Sequence, residues 1–74
     1  MQKYKNSCIA DEFEGWNEDA VYELDDGSKW KLISYKYSYM YHYRPKAIIW
    51  RDGERYFLEV DGISEKQEVQ EVNT

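Results

Sequence analysis

The architecture of this chain turns on one run, Lys29-Trp30-Lys31-Leu32-Ile33-Ser34-Tyr35-Lys36-Tyr37-Ser38-Tyr39-Met40-Tyr41-His42-Tyr43-Arg44. It holds no Gly, no Pro and no turn-forming pair, and from Tyr35 to Tyr43 a tyrosine stands at every second position. Successive side chains of a strand leave on opposite faces, so alternation at period two is the mark of extended chain. At about 3.3 Å per residue a single strand of this length would run roughly 50 Å, longer than a small domain. The phase of the run also changes. Trp30 and Leu32 are apolar at even positions, whereas from Ile33 the large residues stand at odd positions. A one-residue phase change is what a β-bulge produces. The run therefore predicts a bulge or sharp bend between Leu32 and Tyr35, with one chain segment serving two sheets.

On either side, three Asp-Gly pairs (Asp26-Gly27, Asp52-Gly53 and Asp61-Gly62) punctuate segments rich in β-branched and aromatic residues. Asp-Gly suits tight hairpins because both residues tolerate positive φ. The predicted strands are Cys8–Trp16, Ala20–Leu24, the long run itself, Lys46–Arg51 and Glu54–Val60. Residues 67–72 alternate weakly and read as a last strand or a frayed end. In Ala20–Leu24 the residues Ala20, Tyr22 and Leu24 share a face. In Lys46–Arg51, Ile48 and Trp50 oppose Ala47 and Ile49, which suggests cover on both sides. In Glu54–Val60, Tyr56, Leu58 and Val60 face inward. No window has a 3.6-residue apolar period. The expected fold is all-β: a small, partly open β-barrel of five to six antiparallel strands with one long bent strand. Residues 1–74 read as one domain, with a core at about 8–63 and a C-terminal tail at 64–74.

At 74 residues and 18% aromatic content the chain is too rich in rings to be a disordered segment. A domain of this size buries only about 60% of its unfolded surface. The three Trp, two Phe and eight Tyr are therefore expected to do most of the burying. Cys8 is the one cysteine and His42 the one histidine, which excludes an intramolecular disulfide and a self-contained Cys/His zinc site. No metal and no cofactor is expected. Met1 to Ala10 lack the apolar region of a signal peptide, and no apolar run approaches the roughly 20 residues of a membrane span. The expectation is a soluble, cytoplasmic protein with no membrane partner.

The net charge of −5 is unevenly spread. Residues 1–26 carry two basic and eight acidic side chains, residues 27–51 six basic and none acidic, and residues 52–74 two basic and seven acidic. Mutual neutralisation within one fold is the ordinary outcome of such a map. Overall acidity weighs against non-specific nucleic-acid binding, while a local basic face leaves a contact open.

Tyr35, Tyr37, Tyr39, Tyr41 and Tyr43 form a ladder of rings about 6.6 Å apart, with Lys36, Ser38, Met40, His42 and Arg44 on the opposite face. Three readings fit it. The rings cover the core and pair across strands with Trp50, Tyr56 or Tyr22. They form a self-association surface on a strand with few breakers. Or they stack bases or sugars, with Lys36, His42 and Arg44 supplying charge. Candidate binding or interface residues are thus Tyr35, Tyr37, Tyr39, Tyr41, Tyr43, Lys36, His42 and Arg44. Catalytic constellations are poor. His42 reads as a surface or interface group, and Cys8 as a buried, inert thiol. Glu12 and Glu14 stand at strand spacing on one face, ordinarily a solvated acidic face. No glycine-rich phosphate loop is present.

The string Glu12-Phe13-Glu14-Gly15-Trp16, then Val21-Tyr22-Glu23-Leu24, Gly27-Ser28-Lys29-Trp30, the tyrosine run into Tyr43-Arg44-Pro45, and Val60-Asp61-Gly62 resembles a group of small bacterial proteins that includes mobile gene-cassette (integron) products. The match covers roughly residues 9–63. The resemblance implies a compact SH3-like β-barrel, often in an oligomer, and brings no catalytic residues. The leading expectation is a non-enzymatic, self-associating binding or adaptor module. Its ligand would be a small molecule or a protein, and its first partner a second copy. The alternatives are a nucleic-acid-binding barrel and an enzyme whose composite site lies between chains.

Overall fold

The computed structural model describes residues 1–63 and 65–72. They form eight strands: β1 (Gln2–Cys8), β2 (Glu12–Trp16), β3 (Val21–Glu23), β4 (Lys29–Leu32), β5 (Ser38–Tyr43), β6 (Lys46–Asp52), β7 (Arg55–Val60) and β8 (Gln67–Glu71). Six of these make one antiparallel sheet in the order β1-β6-β7-β8-β4-β3, and β2 pairs with β5 in a second. The chain is all-β, as its periodicity predicts.

The long run does serve two sheets, and of the two expected devices it uses the bend, at Ile33 and Ser34, rather than a bulge. β4 pairs with β3 and β8, β5 pairs with β2, and residues 33–37 between them belong to neither ladder. A bulge keeps both halves of a strand on one partner. Here the halves have different partners, so the chain leaves the first ladder, with Ile33 N donating to Glu68 O at 3.1 Å, before it joins the second. The predicted strand Cys8–Trp16 divides in the same way: it holds the end of β1, the bridge residue Ile9, a bend at 10–11, and β2. Most of β1 escapes sequence prediction, because Gln2–Asn6 is largely polar and shows no apolar alternation. Its partner β6 supplies the ladder. The count is therefore eight strands rather than five to six. β8 fits into the interior of the sheet between β7 and β4, with Val69 buried. Ser64, Asn73 and Thr74, which belong to the predicted tail, lie outside the described residues.

The six-stranded sheet is not closed into a barrel. Its edges, β1 and β3, meet only at the bridge between Ile9 and Leu24. There Asp25 N donates to Cys8 O at 2.9 Å and Ala10 N to Glu23 O at 2.8 Å.

Inward-facing alternation holds where the strands are legible in the sequence. Tyr22, Leu24, Ala47, Ile49, Leu58 and Val60 are buried, and Tyr56 is half-buried. Two aromatic groups anchor the core. In one, Phe13, Trp16 and Tyr22 stand with ring centroids 5.3–5.8 Å apart. In the other, Trp30 and Tyr56 are 5.3 Å apart and Tyr4 lies over both. Among the aromatic residues expected to do most of the burying, Trp16, Trp30 and Phe13 are the largest fully buried side chains, whereas only Tyr22 of the eight tyrosines is buried. The outer face of β6 is half-covered. Lys3 and Lys66 hold their ammonium groups 5.7 Å and 5.4 Å from the Trp50 ring, and Trp50 Nε1 donates to Glu59.

Trp30 is fully buried, and its indole N–H donates to Ser28 Oγ, whose own hydroxyl donates to Asp26. Asp26 also accepts from Ser28 N and pairs with Lys5 at 2.9 Å, tying β1 to the β3–β4 turn. These hydrogen bonds, Ser28's first, hold the Asp26 carboxyl down at about 2 against its ordinary 3.8. A carboxylate that is more acidic folded than unfolded stabilises above its unfolded pKa and loses that contribution as pH falls through the folded one. Asp26→Asn therefore lowers stability by about 1 kcal/mol at neutral pH, allowing for solvent screening. Its unfolding free energy converges with that of the parent as pH falls from 3.8 to about 2. Parallel curves in urea titrations across that range would contradict this linkage.

Gly15 sits where the β2–β5 register shifts, with φ of 96°. A Cβ there would fall 1.9 Å from Ser38 O and 2.9 Å from Met40 N, both backbone atoms that cannot swing aside. Gly53 also has positive φ, at 64°, but open space around it. Gly15→Ala is expected to cost about 3 kcal/mol or more, and Gly53→Ala about 1 kcal/mol. Equal costs by chemical denaturation would refute the close-approach account.

Candidate functional site

The small sheet decides where the tyrosine ladder points. Phe13 lies opposite His42, and Trp16 opposite Ser38. Phe13 and Trp16 fill the space beneath the sheet, so β5 turns its smaller even-numbered side chains inward. Met40 packs against the core, and Ser38 and His42 are half-buried. The His42 ring lies against the turn at Gly62, where an added Cβ would stand 3.7 Å from it. Tyr39, Tyr41 and Tyr43 face out. Tyr35 and Tyr37 lie in the irregular segment before β5, and all five rings are between 52% and 74% exposed. The core-covering reading of the ladder is thereby overturned.

The neighbours of the rings carry a different charge from the one expected. Glu12 stands opposite Tyr43 on β2, and Tyr41 Oη donates to Glu12 Oε1 at 3.2 Å. Glu12 and Glu14 are both exposed, sharing a face as their spacing predicts. With Tyr37, Tyr39, Ala20 and Val21 they line an open groove of about 330 Å³ between β2 and β3. The groove is held from behind by Tyr22, whose buried hydroxyl donates to Gly15 O at 2.8 Å and accepts from Asn17 N at 2.9 Å. Burial raises the Tyr22 pKa.

The three expected polar companions of the ladder are placed elsewhere. His42 is on the inner face. Arg44 has φ of 49°, in the left-handed region, and its guanidinium is engaged: Nη1 donates to Ala10 O and Nη2 pairs with Asp25, both at 2.8 Å. Lys36 lies 3.7 Å from Glu65. Arg44 and Lys36 thus join the central basic block to the acidic blocks on either side, the neutralisation that the charge map suggests. Cys8 is a free, half-buried thiol rather than a buried one.

Sequence reasoning misses the approach of Glu12, Glu14 and Val21 to the rings. The same-face carboxylates are visible at period two, but nothing local indicates that β2 pairs with β5. Among the described residues no group of three or more His, Cys, Asp or Glu is placed to hold a metal ion, and no helix is long and apolar enough to cross a membrane. Comparison of the chain with protein-family models, with curated proteins and with solved structures finds no match.

Limited desolvation and then the nearby Glu12 carboxylate raise the Tyr41 pKa above its ordinary 10.0. Glu12→Gln is expected to bring it down, because a negative neighbour disfavours the phenolate. Resonance-resolved pH titration of the tyrosine rings reads this directly. An unmoved Tyr41 would show that the carboxylate does not act on the ring.

Proposed function

We propose that this protein is a non-enzymatic binding module that self-associates through β5. The observation that carries this reading is the outer edge of β5. Among the described residues β5 pairs with β2 alone, so one side of a six-residue strand stands open. Open edges invite pairing with other chains, and proteins blunt them with charge, bulges, proline or brevity. The other edges carry such devices. β1 bears Lys3 and Lys5 with an extra residue between them, β3 is three residues long, and β2 bears Glu12 and Glu14. β5 reads Ser-Tyr-Met-Tyr-His-Tyr, with neither a carboxylate, a lysine nor a proline, and its one irregularity is the extra residue that sets Met40 and Tyr41 against Glu14 of β2. Two copies paired edge to edge would form a continuous four-stranded sheet about a two-fold axis.

The bridge between Ile9 and Leu24, which brings the two edges of the larger sheet together, supports a further part of the proposal. In this reading the chain is a partly open barrel of the SH3-like kind found among small bacterial cassette proteins, working in the cytoplasm. A nucleic-acid role is less favoured, because the groups beside the rings are Glu12 and Glu14 rather than Lys36 or Arg44. A composite enzyme site has no observation that recommends it over binding.

Light scattering after size exclusion tests the proposal. The parent chain is expected at twice 9.0 kDa or more, and a variant with Tyr37, Tyr39 and Tyr41 replaced by Ser at 9.0 kDa. A monomeric parent, or an unchanged mass in the folded variant, would sink self-association.

A further inference from the structure

From the charge beside the tyrosine row, we infer that the outer face of the β2–β5 sheet docks an extended, lysine-bearing segment of a partner protein, with a lysine ammonium held in the groove between Glu12, Glu14, Tyr37 and Tyr39. The inference rests on the reading of the chain as a binding module; the tyrosine rings bear on both edge pairing and docking, whereas Glu12 and Glu14 on β2 bear on docking alone.

Charge complementarity selects the occupant. Aromatic faces attract cations through their quadrupoles, and carboxylates beside them add ionic attraction. The groove offers both, with the apolar Ala20 and Val21 beside them to take the lysine stem. The cations of the described residues are not deployed here. The salt bridges found among those residues join Lys5 to Asp26, Lys36 to Glu65, Arg44 to Asp25 and Arg55 to Glu68, and none of them uses Glu12 or Glu14. Tyr41 donates its hydroxyl to Glu12, which orients one carboxylate on the ring side without neutralising it. A phosphate-bearing ligand would meet two carboxylates and is disfavoured by the same geometry.

Strand geometry selects an extended segment over a free amine. Tyr39, Tyr41 and Tyr43 are exposed on one side of β5, at the strand repeat of about 6.6 Å apart from the extra residue between Tyr39 and His42. Alternate side chains of an extended peptide repeat at the same spacing, so a Lys-x-Lys segment can follow the row. A groove of about 330 Å³ lies at the small end of ligand pockets and suits one side chain.

The test titrates the folded protein with a short capped peptide of alternating lysine and serine, followed by calorimetry and by amide chemical shifts. The expected result is binding that weakens with added salt, with shift changes centred on Glu12–Asn17 and on Tyr37–Tyr43. The double variant Glu12→Gln with Glu14→Gln should lose about tenfold in affinity, and Tyr37→Ser with Tyr39→Ser a comparable factor. All four side chains are exposed, so these variants keep the core intact. Because the whole chain is acidic, Asp52→Asn with Glu54→Gln serves as the charge-matched control and should bind like the parent. Three outcomes would overturn the inference: a control that loses as much as the Glu12/Glu14 variant, a Glu12/Glu14 variant that binds like the parent, or equal binding of the matching glutamate–serine peptide. Measuring mass in the same samples separates the two readings. A monomer that still requires Glu12 and Glu14 for binding refutes self-association alone, and a dimer indifferent to them refutes the docking site alone.

Discussion

The structure depends on the close approach of β2 to β5 at Gly15. No side chain fits between that residue and the Ser38 carbonyl, and Tyr22 clamps the Gly15 carbonyl from the core side. The approach places Phe13 and Trp16 beneath the small sheet, packed on Tyr22. With that space occupied, β5 has room only for Ser38, Met40 and His42 on its inner face, and the tyrosines are turned outward. The orientation of the whole ladder thus follows from a glycine and two large rings on a different strand.

This is also where the local pattern of the sequence reaches its limit. Period two shows that Tyr39, Tyr41 and Tyr43 share a face, and side-chain chemistry leaves both orientations open. A tyrosine ring is apolar enough to bury and polar enough to expose. The even-numbered face looks like the polar one because Lys36 and Arg44 bracket it, yet neither residue belongs to β5, which ends at Tyr43. Within the strand the even positions are Ser38, Met40 and His42, a set small enough to sit beside Phe13 and Trp16 beneath the sheet. Strand pairing, a non-local property, decides between faces that local pattern cannot rank.

The same distinction separates the other legible elements from the hidden ones. Ala47, Ile49, Leu58 and Val60 are legible as core because each strand carries its own alternation and the Asp52-Gly53 turn links them directly. β1 is invisible, because a strand at a sheet edge can be polar when its neighbour supplies the burial. The division of the long run is half legible. A phase change marks that something happens after Leu32, but a bulge within one ladder and a crossing between two sheets produce the same shift in parity. Only the partners, β8 for one half and β2 for the other, distinguish them.

Charge shows most sharply how pairing rewrites a local pattern. Along the chain the tyrosines are embedded in the basic block, between acidic blocks. In space that order inverts. Arg44 reaches back to Asp25 and the Ala10 carbonyl, Lys36 stands near Glu65, and antiparallel pairing brings Glu12 and Glu14 beside the rings. A strand's neighbours in sequence occupy its ends and its opposite face, whereas its neighbours across the ladder share its face. For a face used in recognition, the cross-strand residues therefore set the sign of the potential. A chain whose central third is basic can in this way present an acidic aromatic surface, and the chemistry of its partner has to be inferred from the ladder register rather than from the charge run.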